Sequence, residues 1–286
     1  MGDGIIVADA LRAATTALTA TSDTPRLDAE LLMARALGVT RSEMLLRLLR
    51  DPLPAGFAPL VERRLTHEPI AYILGEQEFH GLSLRVTPDV LIPRGDSEVL
   101  VDAALAARPD ARTVLDCGTG SGALLLAVLA ALPRARGVGI DRSPAALAVA
   151  AGNAERLDLA ARTDFAVANW QEPGWARGFG GPFDLILANP PYVEDDAALA
   201  SDVREHEPAG ALFAGPDGLD DYRVLIPQLP ELLGAGGIAV VEIGHTQAAA
   251  VTALAQAAGL AALLHRDLAG LPRVLQLTLN GRISAP

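Results

Sequence analysis

From residue 113 onward the chain alternates short apolar runs with helical stretches, and that alternation limits the folds open to it. Strands are predicted at Thr113–Leu115, Gly137–Ile140, Phe165–Val167, Asp184–Leu187, Gly237–Glu242, Ala261–His265 and Val274–Leu279. Helices are predicted at about 123–132, 144–156, 219–233 and 247–258. Short apolar runs bounded by turn residues read as strands covered on both faces. A helix between successive strands is long enough for a crossover, so neighbours run parallel. The expected fold is α/β: a doubly wound, mostly parallel seven-stranded sheet whose ligand crevice lies at the carboxyl ends of its strands.

Upstream the period changes. Leu11, Ala14 and Leu18, then Leu27, Leu31, Ala34 and Leu37, recur at helical spacing, with Gly38 as a C-cap. Another helix starts at Thr40, Arg41 and Ser42, and a further one runs through Leu60, Val61 and Leu65 after the loop Asp51–Gly56. Leu82, Leu84 and Val86 alternate as in a strand, with Gly75 and Gly81 as punctuation, which predicts a β-hairpin. The expected division is a helical bundle over 1–70, a hairpin linker over 71–93 and the α/β domain over 94–286. Before the helix that begins near residue 98, Asp96 or Ser97 is the expected N-cap.

Composition removes several classes of function. No apolar run is long enough for a membrane span, and Met1-Gly-Asp-Gly-Ile-Ile lacks the basic and apolar regions of a secretory signal. Cys117 is the single cysteine, which excludes an internal disulfide and fits a reducing, cytoplasmic setting. The histidines (67, 80, 206, 245 and 265) are scattered, so no metal site is expected. Net charge is −12, every basic residue is Arg, and residues 91–286 carry 14 Arg against 23 acids. Such a balance disfavours a phosphate backbone as substrate.

The chemistry concentrates in two stretches. The run Phe183–Ala188 ends in Asn189, Pro190, Pro191 and Tyr192. Two prolines fix two φ angles and remove two N–H donors, so the carbonyls of Asn189 and Pro190 have no local donor competing for them. Asn189 adds a side-chain oxygen, and Tyr192 a ring with a hydroxyl. The cluster is shaped to accept two N–H bonds from a flat, neutral NH2 group and to cover it. Taken alone, the same tetrapeptide also reads as a turn closing a strand.

The second stretch, Leu115-Asp-Cys-Gly-Thr-Gly-Ser-Gly-Ala123, closes one strand and opens a helix. Gly118, Gly120 and Gly122 let the backbone pass close to a ligand, and Thr119 and Ser121 lie between them. The spacing is Gly-x-Gly-x-Gly rather than the Gly-x-Gly-x-x-Gly of dinucleotide folds. Asp116 would oppose a pyrophosphate and suits a cationic ligand. Asp141 stands at the end of the second strand, where a carboxylate meets ribose hydroxyls. Asn169 offers an amide to a base edge, and Trp170 an indole to stack on a ring. The plainer readings are a helix cap for Asp141 and a core role for Trp170. Together the set points to S-adenosyl-L-methionine.

On these residues the chain resembles class I, Rossmann-like methyltransferases, and within them the release factor glutamine N5-methyltransferases (the HemK/PrmC family). The resemblance also rests on Glu68–Gly75, Phe79, Leu91–Glu98, Glu207-Pro208, Gly215–Leu219 and Glu242–Gly244. Arg94-Gly-Asp-Ser-Glu98 replaces the family's Arg-Pro-Asp-Thr-Glu, which should loosen that loop at Gly95. Asn169-Trp170 replaces Asp-Trp, a neutral partner for adenine and a reason for weaker cofactor binding.

The resemblance implies methylation of the glutamine in the Gly-Gly-Gln motif of peptide chain release factors, with S-adenosyl-L-homocysteine as by-product. In that setting Asn189, Pro190, Pro191 and Tyr192 would be the catalytic group. Asp116, Gly118, Thr119, Gly120, Ser121, Gly122, Asp141, Asn169, Trp170 and Asn189 would hold the cofactor, and the helical domain would dock the substrate. The alternatives are a glutamine methyltransferase acting on a ribosomal protein, a nucleic-acid amino-methyltransferase, and a non-catalytic S-adenosylmethionine-binding adaptor.

Overall fold

Apolar residues at helical spacing need a partner face, and in the first part of the chain they find it in one another. The computed structural model describes residues 5–280, so the expectation drawn from the first residues of the chain lies largely outside them. The chain divides into two units: Met1–Glu76 with Leu199–His206, and Gln77–Ala198 with Glu207–Pro286.

In the first unit α1 (Val7–Leu18), α2 (Pro25–Leu37), α4 (Phe57–Leu65) and α5 (Ile70–Leu74) surround Leu18, Leu32, Met33, Met44 and Phe57. Gly38 ends α2 in the left-handed region at φ 69°. The helix expected from Thr40 is only one α turn, α3 (Arg41–Glu43), which passes into a π turn at Met44–Leu48. Thr40 accepts from the Glu43 amide at 3.2 Å and caps it. Arg64 donates to Asp28 at 2.7 Å with both side chains buried.

The second unit begins with the hairpin β1 (Glu76–Phe79) and β2 (Leu82–Arg85). Phe79 and Leu84 are fully buried in the same core as α6 (Glu98–Ala107), so the hairpin part of the segment expected as a linker packs in this unit, while residues 71–76 belong to the first. Neither Asp96 nor Ser97 makes a side-chain cap on α6. A 3-10 turn at Gly95–Ser97 leads into the helix, and the Ser97 side chain is buried.

The sheet follows: β3 (Thr113–Cys117), α7 (Ala123–Ala131), β4 (Arg136–Asp141), α8 (Pro144–Arg156), β5 (Thr163–Val167) and β6 (Phe183–Ala188). After β6 the chain gives α9 (Ser201–His206) to the first unit, then α10 (Asp220–Leu225), α11 (Leu229–Leu232), β7 (Leu233–Glu242), α12 (Ala248–Ala257), β8 (Leu260–Arg266) and β9 (Pro272–Leu279). The single helix expected over 219–233 is broken by a 3-10 turn at Ile226–Gln228, because Pro227 and Pro230 remove donors from its interior. Among the described residues the seven strands lie in the order β5-β4-β3-β6-β7-β9-β8, and β9 alone runs against the other six.

Side chains alternate across the strands. Val114, Leu185 and Val240 face α6 and α7, while Leu115, Ile186 and Val241 belong to the opposite core with Tyr222, Leu225 and Val251. Burying each such leucine contributes roughly 1.5–3 kcal/mol. From β3 the chain winds outward to β4 and β5, then returns to the other side at β6. Cys117 is in register with Ile140 on one side and Ala188 on the other. The switch point therefore lies at the carboxyl ends of β3, β4 and β6, where the glycine loop, Asp141 and Asn189 emerge. No helix of the described residues is long and apolar enough to cross a membrane.

Candidate active site

The loop after β3 turns so tightly that Gly118, Gly120 and Gly122 all take positive φ, at 77°, 53° and 85°. A Cβ on Gly118 would stand 3.2 Å from the Trp170 ring, whereas one on Gly120 would meet no atom. Gly118, Thr119, Gly120 and Ser121 line a cleft together with Asp141, Asn169, Trp170, Asn189 and Pro191. Ala123 and Leu124, at the start of α7, complete this wall. The amides of Ser121, Ala123 and Leu124 donate to no backbone carbonyl among the described residues. Gly122 is not on the wall; its amide donates to Thr119 at 2.7 Å and its carbonyl receives Leu126 at 2.8 Å, so it shapes the turn.

Asp141 lines the cleft with both oxygens partly engaged. Oδ2 accepts from the Gly120 amide at 3.0 Å and Oδ1 from the Ser143 amide at 2.9 Å. The cap of α8 is Ser143, whose Oγ accepts from Ala146 at 3.2 Å. Asp141 is thus the tie between β4 and the glycine loop rather than a helix cap.

Asn169 also lines the cleft, with its oxygen receiving the Gln171 amide at 3.0 Å. Trp170 is held by an Nε1 bond to Asp221 at 2.8 Å, which sets its ring against Gly118.

Asp116, expected to face a cationic ligand, is instead fully buried and does not line the cleft. Its Oδ2 accepts from the Thr119 hydroxyl at 2.6 Å, which fastens the loop from beneath, and Oδ1 has no partner among the described residues. Burial pushes its carboxyl up to about 7, and Asp141 adds to the rise; the Thr119 hydroxyl opposes it. Cys117, equally buried, has its thiol pushed further up by burial and by Asp116.

At the end of β6 the tetrapeptide divides. Asn189 and Pro191 line the cleft, whereas Pro190 and Tyr192 do not. The Asn189 carboxamide makes no hydrogen bond with a described residue, and no backbone amide among them reaches the carbonyl of Asn189 or Pro190. Tyr192 is placed differently from the cover expected over a bound group: its hydroxyl donates to Glu242 at 3.4 Å. The physical reason is that a mostly buried phenol needs a hydrogen-bond partner, and the end of β7 supplies one. Burial, then the Glu242 charge, push that phenol up to about 12.

Several residues hold the site together through contacts that the sequence did not predict. Glu207 accepts from Arg94 and from the Ile92 amide (3.1 Å), joining the 91–94 loop to the 207–211 loop across the cleft wall. Arg142 donates to the Gly210 carbonyl. Asp221, which steadies Trp170, and Gln247, which donates to the Tyr192 carbonyl at 3.0 Å, are long-range partners.

The cleft suits a cationic nucleoside ligand better than a phosphate. Asp89, Asp141 and Asp221 face Arg94 and Arg142, and both guanidinium groups are engaged by protein acceptors. The space a Cβ at Gly120 would occupy, the open amides of α7 and the carboxylate of Asp141 fit a ligand with ribose hydroxyls.

A doubly wound sheet with one antiparallel strand and a cleft of this kind at its switch point define a methyltransferase. The Methyltransferase domain family matches residues 109–244 and the PrmC N-terminal domain family residues 9–75. The release factor glutamine methyltransferase of Caulobacter vibrioides is 44% identical over 245 residues, covering 83% of each chain. That of Moorella thermoacetica is 46% identical, over 82% of this chain and 84% of its own. That of Agrobacterium fabrum is 37% identical over 96% and 97%. Among solved structures, the hMettl16 catalytic domain, determined with the MAT2A 3'UTR hairpin 6, superposes with a TM-score of 0.56. It covers 79% of this chain and 84% of that one at 14% identity, a likeness of fold alone. The chain belongs to the release factor glutamine methyltransferase family.

Proposed function

We propose that this protein transfers a methyl group from S-adenosyl-L-methionine to N5 of the glutamine in the Gly-Gly-Gln motif of peptide chain release factors. The observation that carries this reading is the pair of unclaimed oxygens after β6: Asn189 Oδ1, on a residue that lines the cleft with the glycine loop, and the carbonyl of the next residue, Pro190. The names of the curated relatives support the substrate, and they favour it over a ribosomal protein or a nucleic acid. The first unit, with its PrmC N-terminal domain match, is the part proposed to dock the release factor. The single thiol and the substrate class support a cytoplasmic setting.

Gly118, Thr119, Gly120, Ser121, Asp141, Asn169 and Trp170 would hold the cofactor, with Asp141 toward the ribose and Trp170 toward the base. Gly122 and Asp116 would keep the loop in shape from behind. The bound cofactor supplies an electrophilic methyl on a sulfonium. A carboxamide nitrogen is a poor nucleophile because its lone pair is shared with the carbonyl. Asn189 Oδ1 and the Pro190 carbonyl would accept the two amide hydrogens, aim the nitrogen and stabilise the positive charge that grows on it. The nitrogen so held would take the methyl from sulfur, leaving a neutral thioether on the departing cofactor. The amide proton leaves to solvent afterwards, when it has become strongly acidic, so no general base is required.

The test is incubation with labelled cofactor and purified release factors, ribosomal protein and DNA, followed by mass spectrometry of the modified residue. N5-methylglutamine in the Gly-Gly-Gln motif is the expected product. A label found only on ribosomal protein or on DNA overturns the reading.

A further inference from the structure

Glu242 ends β7 with a carboxyl that is only 1% exposed, beside the tetrapeptide and outside the mechanism above. Its Oε1 receives the Tyr192 hydroxyl at 3.4 Å, and its own carbonyl receives the Tyr222 hydroxyl at 2.9 Å. The Ser97 hydroxyl bears on the same carboxyl and pulls its pKa down. Yet neither Ser97 Oγ nor Glu242 Oε2 completes a hydrogen bond with a described residue. Ser97 lines the cleft, so the carboxyl lies between a cleft residue and the last residue of the tetrapeptide. A buried acid with an unused oxygen is costly to keep in a purely structural role.

Tyr192 is anchored at its other end as well. Gln247 Nε2 donates to the Tyr192 carbonyl at 3.0 Å and to the Gly218 carbonyl at 3.1 Å, while its Oε1 receives the Gly244 amide at 3.0 Å. The Asn189 and Pro190 oxygens therefore hang from a tyrosine held at two points, one of them titratable. The charged and titratable groups that face the carboxyl are Arg273 from β9, Asp96 from the turn before α6, Tyr192, and Tyr222 from α10. Arg273 is in turn paired with Asp96 at 2.9 Å and Asp267 at 3.1 Å, and Arg94 acts on the Tyr192 phenol.

We propose that Glu242 is a positioning residue for methyl transfer: its carboxyl, set between Ser97 and Tyr192, fixes the tyrosine and so directs the Asn189 and Pro190 acceptors. This rests on the amide-methylating reading above. Burial pushes the carboxyl up to about 7, with Asp96 adding to the rise, while Ser97, Arg273 and Tyr192 pull it down. Ionised, it is a full acceptor for the Tyr192 hydroxyl; protonated, it is a weaker one.

The experiment uses the full chain, a purified release factor and labelled S-adenosylmethionine, with kcat and KM measured across about pH 6 to 9 for the wild type, Glu242→Gln and Tyr192→Phe. Wild-type kcat should rise through neutral pH. Glu242→Gln should lose that limb and about tenfold in kcat, with KM for the release factor and calorimetric cofactor affinity within about twofold. The double variant should cost no more than the worse single one, since both act through one contact. A second readout needs no substrate: the Tyr192 backbone amide resonance should titrate near neutrality in the wild type and not in Glu242→Gln. A Glu242→Gln variant that keeps the wild-type kcat and pH limb, or a Tyr192 resonance indifferent to the substitution, overturns the proposal. A wild type that methylates no release factor while the Tyr192 resonance still follows Glu242 overturns the proposed substrate instead.

Discussion

Gly120 donates its amide to Asp141 Oδ2 at 3.0 Å, so the carboxylate at the tip of β4 holds the middle of the glycine loop. One side chain thereby shapes the cleft and lines it. Asp141→Ala should remove the loop tether and the proposed ribose acceptor together, weakening cofactor binding at least about tenfold, the loss expected for a charged hydrogen bond. Asp141→Asn keeps one oxygen and should lose less. Calorimetric titration with S-adenosylmethionine and S-adenosylhomocysteine reads both, and unchanged affinity in the Ala variant would remove Asp141 from the cofactor site.

Asn189 contributes an oxygen that no described residue claims. Asn189→Ala should lower single-turnover methylation by roughly 10²–10³, the range for removing one preorganised group facing transition-state charge. Cofactor affinity should stay within about twofold. Wild-type-like turnover of a release factor would end the assigned role.

Gly118 has φ 77°, and a Cβ there would approach Trp170 Cη2 at 3.2 Å. Gly118→Ala should cost about 1–2 kcal/mol from the left-handed backbone alone and displace the indole as well. Chemical denaturation followed by Trp fluorescence checks the first effect, and cofactor titration the second. A variant equal to the wild type in both would mean that the loop relaxes freely.

The buried carboxyls of Asp116 and Glu242 are both raised to about 7, above their ordinary values of 3.8 and 4.5. A raised folded pKa contributes stability that is complete below the unfolded value and is lost as pH rises through the folded one. Stability, and the thermal midpoint with it, should therefore fall between about pH 4 and 7, by up to about 1.4 kcal/mol per group per pH unit in that window, and level off above it. Asp116→Asn and Glu242→Gln should each flatten the dependence. A midpoint that rises over this range, or slopes unchanged in both variants, would refute the assignment.

In the first unit Asp28 accepts from buried Arg64 at 2.7 Å and also receives Ser22 and Thr24. Asp28→Ala leaves a guanidinium buried without its counter-charge, which should cost about 3–5 kcal/mol. Hydrogen exchange should show the loss across α2 and α4, and protection there equal to the wild type would make the pair dispensable.

Periodicity alone exposed the sheet, because strands covered on both faces must be short apolar runs and their crossovers must be helical. It misjudged 219–233, where Pro227 and Pro230 interrupt a helix whose apolar pattern continues across them. The helix start at Thr40 was legible, but the passage into a π turn at Met44–Leu48, with Met44 buried in the core, was not.

Within the site, the cleft positions of Gly118, Gly120, Asp141 and Asn189 could be read in advance, since they depend on backbone geometry and on position at strand ends. Asp116 and Tyr192 could not. Whether a polar side chain faces the cleft or its back depends on partners far along the chain: Glu242 lies 50 residues from Tyr192, and Asp221 51 residues from Trp170. Local sequence settled the sheet, the switch point and the oxygen-rich turn that ends β6, because propensity, proline and glycine act through the residue's own backbone. Only the folded structure decided which acids are buried and which hydroxyls are anchored, because desolvation and hydrogen bonding depend on what the rest of the chain brings alongside.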